Sequence, residues 1–177
     1  MVVFTKTDYL TSDTAHAAEG MMAALNAKGL HPKILETYRS PQRQKSLYDR
    51  SQKLVASGHA PVTKTNQSWH ETGRAIDWQI SPSDINSIIA FLTIAQTFGF
   101  HTMADPVDIE NAISAGTLTD GMLWDWHHVE FRNNRKWPQA FAEYQEYLRR
   151  GVGSAGVGTV LGGILTAGTL VTMASQD

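Results

Sequence analysis

Two short stretches of the 177-residue chain carry the side chains best suited to breaking a bond: His70 with Asp77, and Asp125 with His127 and His128. An imidazole and a carboxylate are half of a catalytic zinc site, which takes three protein ligands and keeps a fourth position open. With a second imidazole from Asp125–His128, such a site would lower the pKa of bound water toward ~7 and polarise a scissile carbonyl. A nearby carboxylate must then carry the water proton to the leaving amine, and Asp125 is suited to it. The helical His-Glu-x-x-His pattern is not met, because Arg74 stands where its second histidine belongs, so Glu71 is not expected to be the base. The competing reading is a set of satisfied polar groups on two strands.

The rest of the composition narrows the choice. There is no cysteine, which removes disulfides, thiolate metal sites and cysteine nucleophiles and leaves seven histidines and the carboxylates as ligands. A net charge of −2 with no basic patch argues against nucleic acid as a partner. At 42% hydrophobic and 18% charged, the chain is expected to build one core. Residues 1–8 lack the basic-then-apolar pattern of a secretory signal, so the expected starting place is the cytosol.

The elements that must position these residues follow from spacing. Ala15, Ala18, Met22 and Leu25 recur at helical intervals behind a cap at Ser12 or Asp13, with Gly29 as the stop. Pro32–Tyr38 reads as a strand through Ile34, Leu35, Thr37 and Tyr38, and Ser40-Pro41 opens a helix that ends at Gly58. Arg39, between the two, is either part of a solvated first turn or points into a cleft to polarise a carbonyl. Residues 57–67 form a surface loop, the kind of segment that often carries substrate contacts. Ala75–Ile80 is a strand, Ile85–Phe98 the best core helix, Phe100–Met103 a strand and Val107–Ala115 a short helix. Leu123–Phe131 reads as one long strand carrying the second cluster, and Trp137–Arg150 as a last amphipathic helix. The core helix is expected to bring the two clusters together. His16, His59 and His101 have no patterned partner and are not taken as ligands.

The folded domain is read as residues 1–150, and Gly151–Ala174 as a different material, uncharged and rich in glycine. Its length would span a bilayer as a helix, and Gly158-x-x-x-Gly162 would let two such helices approach closely. Its glycine, serine and threonine content equally fits a flexible or partner-ordered tail. Arg149 and Arg150 before it would hold the domain on the cytosolic side.

The joint pattern Ser68-x-His70-x-x-Gly73-x-Ala75-x-Asp77 and Asp125-x-x-His128, with Tyr38-Arg39-Ser40 upstream, resembles a family of zinc peptidases. It contains D-alanyl-D-alanine carboxypeptidases, dipeptidases and the L-alanyl-D-glutamate endopeptidases of phage endolysins. The resemblance implies an α+β fold, with a small, mostly antiparallel sheet carrying the zinc site and helices packed on it. Matched position by position, it implies Zn2+ on His70, Asp77 and His128, Asp125 as general base and acid, and Arg39 on the oxyanion. Ser68 and Tyr38 would contact substrate, a peptidoglycan stem peptide. His127 departs from the pattern, where relatives more often carry tryptophan or proline. Because side chains alternate along a strand, only one of the adjacent histidines can face the metal. The spacing favours His128, with Glu130 on the same face to orient it.

The Asp-based second motif and the Tyr-Arg-Ser-Pro helix start look closest to the endopeptidase branch. The expectation is therefore a phage-type endolysin that waits in the host cytoplasm before release to the wall, with membrane or virion association through the tail. Two alternatives stand beside it: a D-alanyl-D-alanine carboxypeptidase, and a virion or wall-binding structural protein that keeps the fold.

Overall fold

The computed structural model describes residues 6–150. Among them are five helices, α1 (Ser12–Ala27), α2 (Pro41–Ala56), α3 (Ile85–Thr97), α4 (Pro106–Ala115) and α5 (Trp137–Arg149), and four strands. The strands are β1 (Lys33–Glu36), β2 (Ala75–Gln79), β3 (His101–Thr102) and β4 (His128–Glu130), in the antiparallel order β1-β2-β4-β3. The α+β expectation holds. The tail from 151 onward, with its membrane and assembly readings, lies outside the described residues. No helix among those described is long and apolar enough to cross a membrane.

Local signals set most boundaries. Ser40 Oγ accepts from the Arg43 amide at 3.3 Å with Pro41 in the first turn of α2, and Asp84 caps α3 by accepting from the Ser87 amide at 3.0 Å. The start of α1 differs from expectation: Thr11 is the cap position. Asp13, one of the expected caps, accepts from Thr11 Oγ1 at 2.6 Å and from the Thr14 amide at 3.0 Å.

The sheet separates the core from the site. Because side chains alternate, Ile76 and Trp78 of β2 and Val129 of β4 enter the core with Met21, Leu25, Phe91 and Leu92 from α1 and α3. Asp77, His128 and Glu130 point to the opposite face and line a cleft. Two expectations are corrected here. The long strand from Leu123 to Phe131 is only His128–Glu130, preceded by a 3-10 turn over Asp120–Leu123 and by Asp125 at φ 57. A left-handed residue cannot continue a strand, and Asp is among the few non-glycine residues that adopt it readily. The two clusters are joined by direct pairing of β2 with β4, which sets Asp77 opposite His128. Helix α3 supports that pair from the core side without linking the clusters itself.

Strand β1 adds one irregularity. Ile34 pairs with Trp78 and Glu36 with Asp77, so Leu35 is an extra residue in the ladder. Without that bulge Leu35 would oppose Asp77. With it, Leu35 turns out to 40% exposure and Glu36 comes to the cleft face, 6% exposed.

Candidate metal centre and cleft

His70 is delivered by a 3-10 turn, Trp69–Thr72, closed at both ends. At its start Ser68 Oγ accepts from the His70 amide at 3.3 Å, while Glu71 accepts from the Ser68 amide at 2.7 Å. At its end Gly73 takes φ 63 and turns the chain into β2; a Cβ there would stand 2.5 Å from the Tyr144 ring, so only glycine fits. Trp137 of α5 donates from Nε1 to the Ser68 carbonyl at 2.8 Å and clamps the turn from outside. Glu71 is thus committed to capping and stays away from the chemistry, as expected.

Three ligand atoms converge. His70 Nε2 lies 3.1 Å from Asp77 Oδ1, His128 Nδ1 lies 2.8 Å from the same oxygen, and the two nitrogens are 3.2 Å apart. His70, Asp77 and His128 form a group that could hold a metal ion. Two nitrogens bound tetrahedrally to one zinc at ~2.05 Å would stand about 3.3 Å apart.

The far side of each ring is fixed. His70 Nδ1 donates to the Thr37 carbonyl at 2.5 Å, and His128 Nε2 faces Glu130 Oε1 at 3.1 Å. These bonds use one N–H per ring and leave Nε2 of His70 and Nδ1 of His128 with bare lone pairs facing Asp77, which calls for a cation between them. In the metal-free chain a proton fills that role. Burial disfavours a charged His128, but hydrogen bonds and the charges of Asp77 and Glu130 outweigh it and push its pKa up to about 10. Asp77 likewise falls well below the usual carboxylate range, burial opposing and the charges and hydrogen bonds of His70 and His128 prevailing. A metal would displace the proton, as ligand binding at such sites requires.

The cleft beside this group has a volume of about 530 Å³ and is lined by Ser68, Arg39, Asp77, Asp125, His127 and His128 among others. Arg39 Nη2 stands 3.5 Å from Asp77 and 2.5 Å from Glu36, and its Nη1 donates to Gln44 Oε1 at 2.8 Å. The cleft-facing reading of Arg39 is the one the structure has. His127 sits outside the ligand group, half-buried, with Nε2 at 3.6 Å from Asp125 Oδ1. It lines the cleft without joining the ligand group, and it precedes β4, so strand alternation does not set its direction.

Tyr38 is the site residue that the structure does not bring to the cleft. Its ring packs on Tyr144 of α5 at 5.5 Å, and burial pushes its phenol pKa up. Sequence reasoning missed Glu36, which pairs with both Arg39 and Arg43 on the cleft face. Its spacing of three from Arg39 and seven from Arg43 was a signal, but only the bulge explains why a strand-end glutamate turns inward. The Thr37 carbonyl behind His70 was missed as well, and no side-chain pattern could have found it.

Residues 7–105 match the model of the VanY family, D-alanyl-D-alanine carboxypeptidase. The chain belongs to that family. The matched span contains Arg39, His70 and Asp77 but stops short of His128, which the β2–β4 register sets opposite Asp77, and of Asp125, which the turn before β4 brings to the cleft. Together these make the chain a peptidoglycan-acting metallopeptidase of the VanY family. Among solved structures, the chain is similar to a mutant of the vancomycin resistance D,D-pentapeptidase VanY, from a VanB-type resistance cassette, in complex with Zn(II). The identity is 17% and the TM-score 0.47, covering 78% of this chain and 83% of that one. It is similar also to the LdcB LD-carboxypeptidase, at 20% identity and TM-score 0.45, over 68% of this chain and 58% of that one. A third is VanYB in complex with D-alanine-D-alanine, at 18% identity and TM-score 0.44, over 84% and 90%. Comparison with curated protein sequences gives no match. Family membership rests on the sequence match.

Proposed function

We propose that the chain is a zinc-dependent endopeptidase that cuts the L-alanyl-D-glutamate bond of peptidoglycan stem peptides and serves as a phage-type endolysin. The observation that carries the peptidase chemistry is the convergence of His70 Nε2, Asp77 Oδ1 and His128 Nδ1 at one wall of a cleft that also holds Asp125. These three would hold zinc, and VanY is known in complex with Zn(II). Zinc in such a site supplies Lewis acidity and lowers the pKa of water toward ~7.

The chain's own residues then have separable tasks. Asp125 takes a proton from the attacking water as its oxygen adds to the alanyl carbonyl carbon, and returns it to the nitrogen as the C–N bond breaks. Arg39, held by Glu36 and Gln44, offers its guanidinium to the carbonyl oxygen as negative charge develops there. Ser68 shapes the His70 turn and lines the cleft.

The choice of bond is supported by the likeness of Asp125-x-x-His128 and Tyr38-Arg39-Ser40-Pro41 to the endopeptidase branch. A second groove of about 530 Å³, lined by Leu35, Trp78 and Trp126, shares His127 with the cleft. A substrate chain that continues past the scissile bond has a surface to lie on, as an endopeptidase needs. On this reading the enzyme waits in the host cytoplasm until it is released to the wall. The second reading, removal of a terminal D-alanine, is favoured by the description of the matched family. Digesting purified wall with the zinc-loaded chain separates them: new L-alanine carboxyl termini are expected, and free D-alanine without them overturns the endopeptidase reading.

A further inference from the structure

The cations of the cleft are not equivalent. Arg39 and Arg43 both pair with Glu36, and Arg39 also reaches Asp77. Lys64, from the 57–67 loop, lines the same cleft and, among the described residues, has no carboxylate within ion-pair distance. Its Nζ lies 3.7 Å from the ring centroid of Trp124, which is 43% exposed and stands on the opposite arm of the cleft, one residue before Asp125. A ring face holds an ammonium in place without supplying a counter-charge, so N–H donors remain for a ligand. The loop is anchored behind Lys64: Ser51 Oγ accepts from the Thr63 amide at 2.8 Å, and Gln44 Nε2 donates to the Thr65 carbonyl at 2.7 Å. An uncommitted, positioned cation in a peptidase cleft calls for an anionic group on the substrate.

The proposed substrate has one at a defined place. In an L-alanyl-D-glutamyl stem linked onward through its γ-carboxyl, the α-carboxylate is free and sits on the carbon bonded to the scissile nitrogen. We propose that Lys64, steered by Trp124, is the specificity-determining residue that receives this α-carboxylate, so that the enzyme prefers stems with a free acid over stems amidated there. This rests on the endopeptidase reading above.

The test compares L-alanyl-γ-D-glutamyl-L-lysine with its α-amide, using zinc-loaded full-length chain. The wild type is expected to favour the acid roughly five- to ten-fold in kcat/KM, mostly through KM, the range for an ion pair in a partly open cleft. Lys64→Met brings the ratio near one, Lys64→Arg keeps most of it, and Trp124→Ala loses part. Calorimetric binding of the γ-D-glutamyl-L-lysine product, acid against amide, follows the same order. A Lys64→Met ratio equal to wild type overturns the assignment. If the wild type instead leaves the alanyl-glutamate bond intact and releases D-alanine, the endopeptidase reading fails. The same ratio is then read on D-alanyl-D-alanine peptides ending in acid or amide, whose carboxylate occupies the equivalent carbon. An unchanged ratio in Lys64→Met there overturns the Lys64 assignment, and a collapsed one supports it.

Discussion

The floor and the rim of the cleft are built differently. On the floor, His70 is fully buried, and His70 and His128 each have the nitrogen that faces away from Asp77 tied to a fixed acceptor, Thr37 or Glu130. On the rim, Asp125 sits at φ 57 in a turn, with Trp124 and Lys64 exposed and His127 half-buried around it. On the floor, Asp77 and His128 are held by strand register, which permits one arrangement, and His70 by a 3-10 turn closed at both ends. The rim is held by turns and a loop, which are free to differ between enzymes that share the floor. Metal affinity should therefore depend on floor residues, while proton transfer and choice of substrate depend on the rim.

The sharpest way to break this division is between adjacent histidines. His128→Ala is expected to drop bound zinc from about one per chain to near none and to abolish hydrolysis, since two ligands do not make a catalytic site. His127→Ala should keep the zinc. Metal analysis of the purified variants decides it, and zinc loss in His127→Ala alone would sink the ligand assignment.

Asp125→Asn should keep the metal yet lose 10²–10⁴-fold in kcat, the usual worth of a positioned general acid and base. Full activity in this variant would remove Asp125 from the mechanism and assign the proton transfer to another group of the cleft. A smaller effect belongs behind the floor. Glu130→Gln keeps a partner for His128 but removes its charge, and about 10–100-fold weaker zinc binding is expected in competition with a chelator.

The same division explains what was legible in the sequence. His70, Asp77 and His128 stand at readable spacings, and most helices announce themselves through caps and periodicity, as Ser40-Pro41 and Asp84 do. What failed depends on backbone geometry that side-chain patterns do not encode. The bulge at Leu35 inverts the expected burial, exposing a leucine and burying Glu36. The left-handed Asp125 cuts a long β-prone run to three residues. Tyr38 has the aromatic character of a substrate contact but fills a gap against Tyr144. The pairing of Asp77 with His128 joins residues far apart in sequence, and no local signal specifies such a register.

The smallest predicted effect tests whether the floor can be loosened without touching the rim. Arg74 leads into β2, and its Nη1 donates to Asp13 Oδ2 of α1 at 2.9 Å, while the Phe131 amide donates to the Arg74 carbonyl at 2.7 Å. Burial raises the Asp13 pKa, but hydrogen bonds from Thr11 and Arg74, with the Arg74 charge, bring it below its ordinary 3.8. A carboxyl whose folded pKa is depressed stabilises the fold above its unfolded pKa, and that stability is lost as pH falls through the folded value. Asp13 is partly exposed, so after solvent screening the pair is worth about 0.5–1 kcal/mol, or about 2 °C in Tm. Asp13→Asn should show that deficit undiminished between pH 5 and 7, and the gap to wild type should close below the ordinary 3.8. Zinc content and the acid-to-amide ratio should not move, because neither Asp13 nor Arg74 lines the cleft. A Tm gap that persists at the acid end would mean that Asp13 acts through packing at the start of α1 and not through its charge.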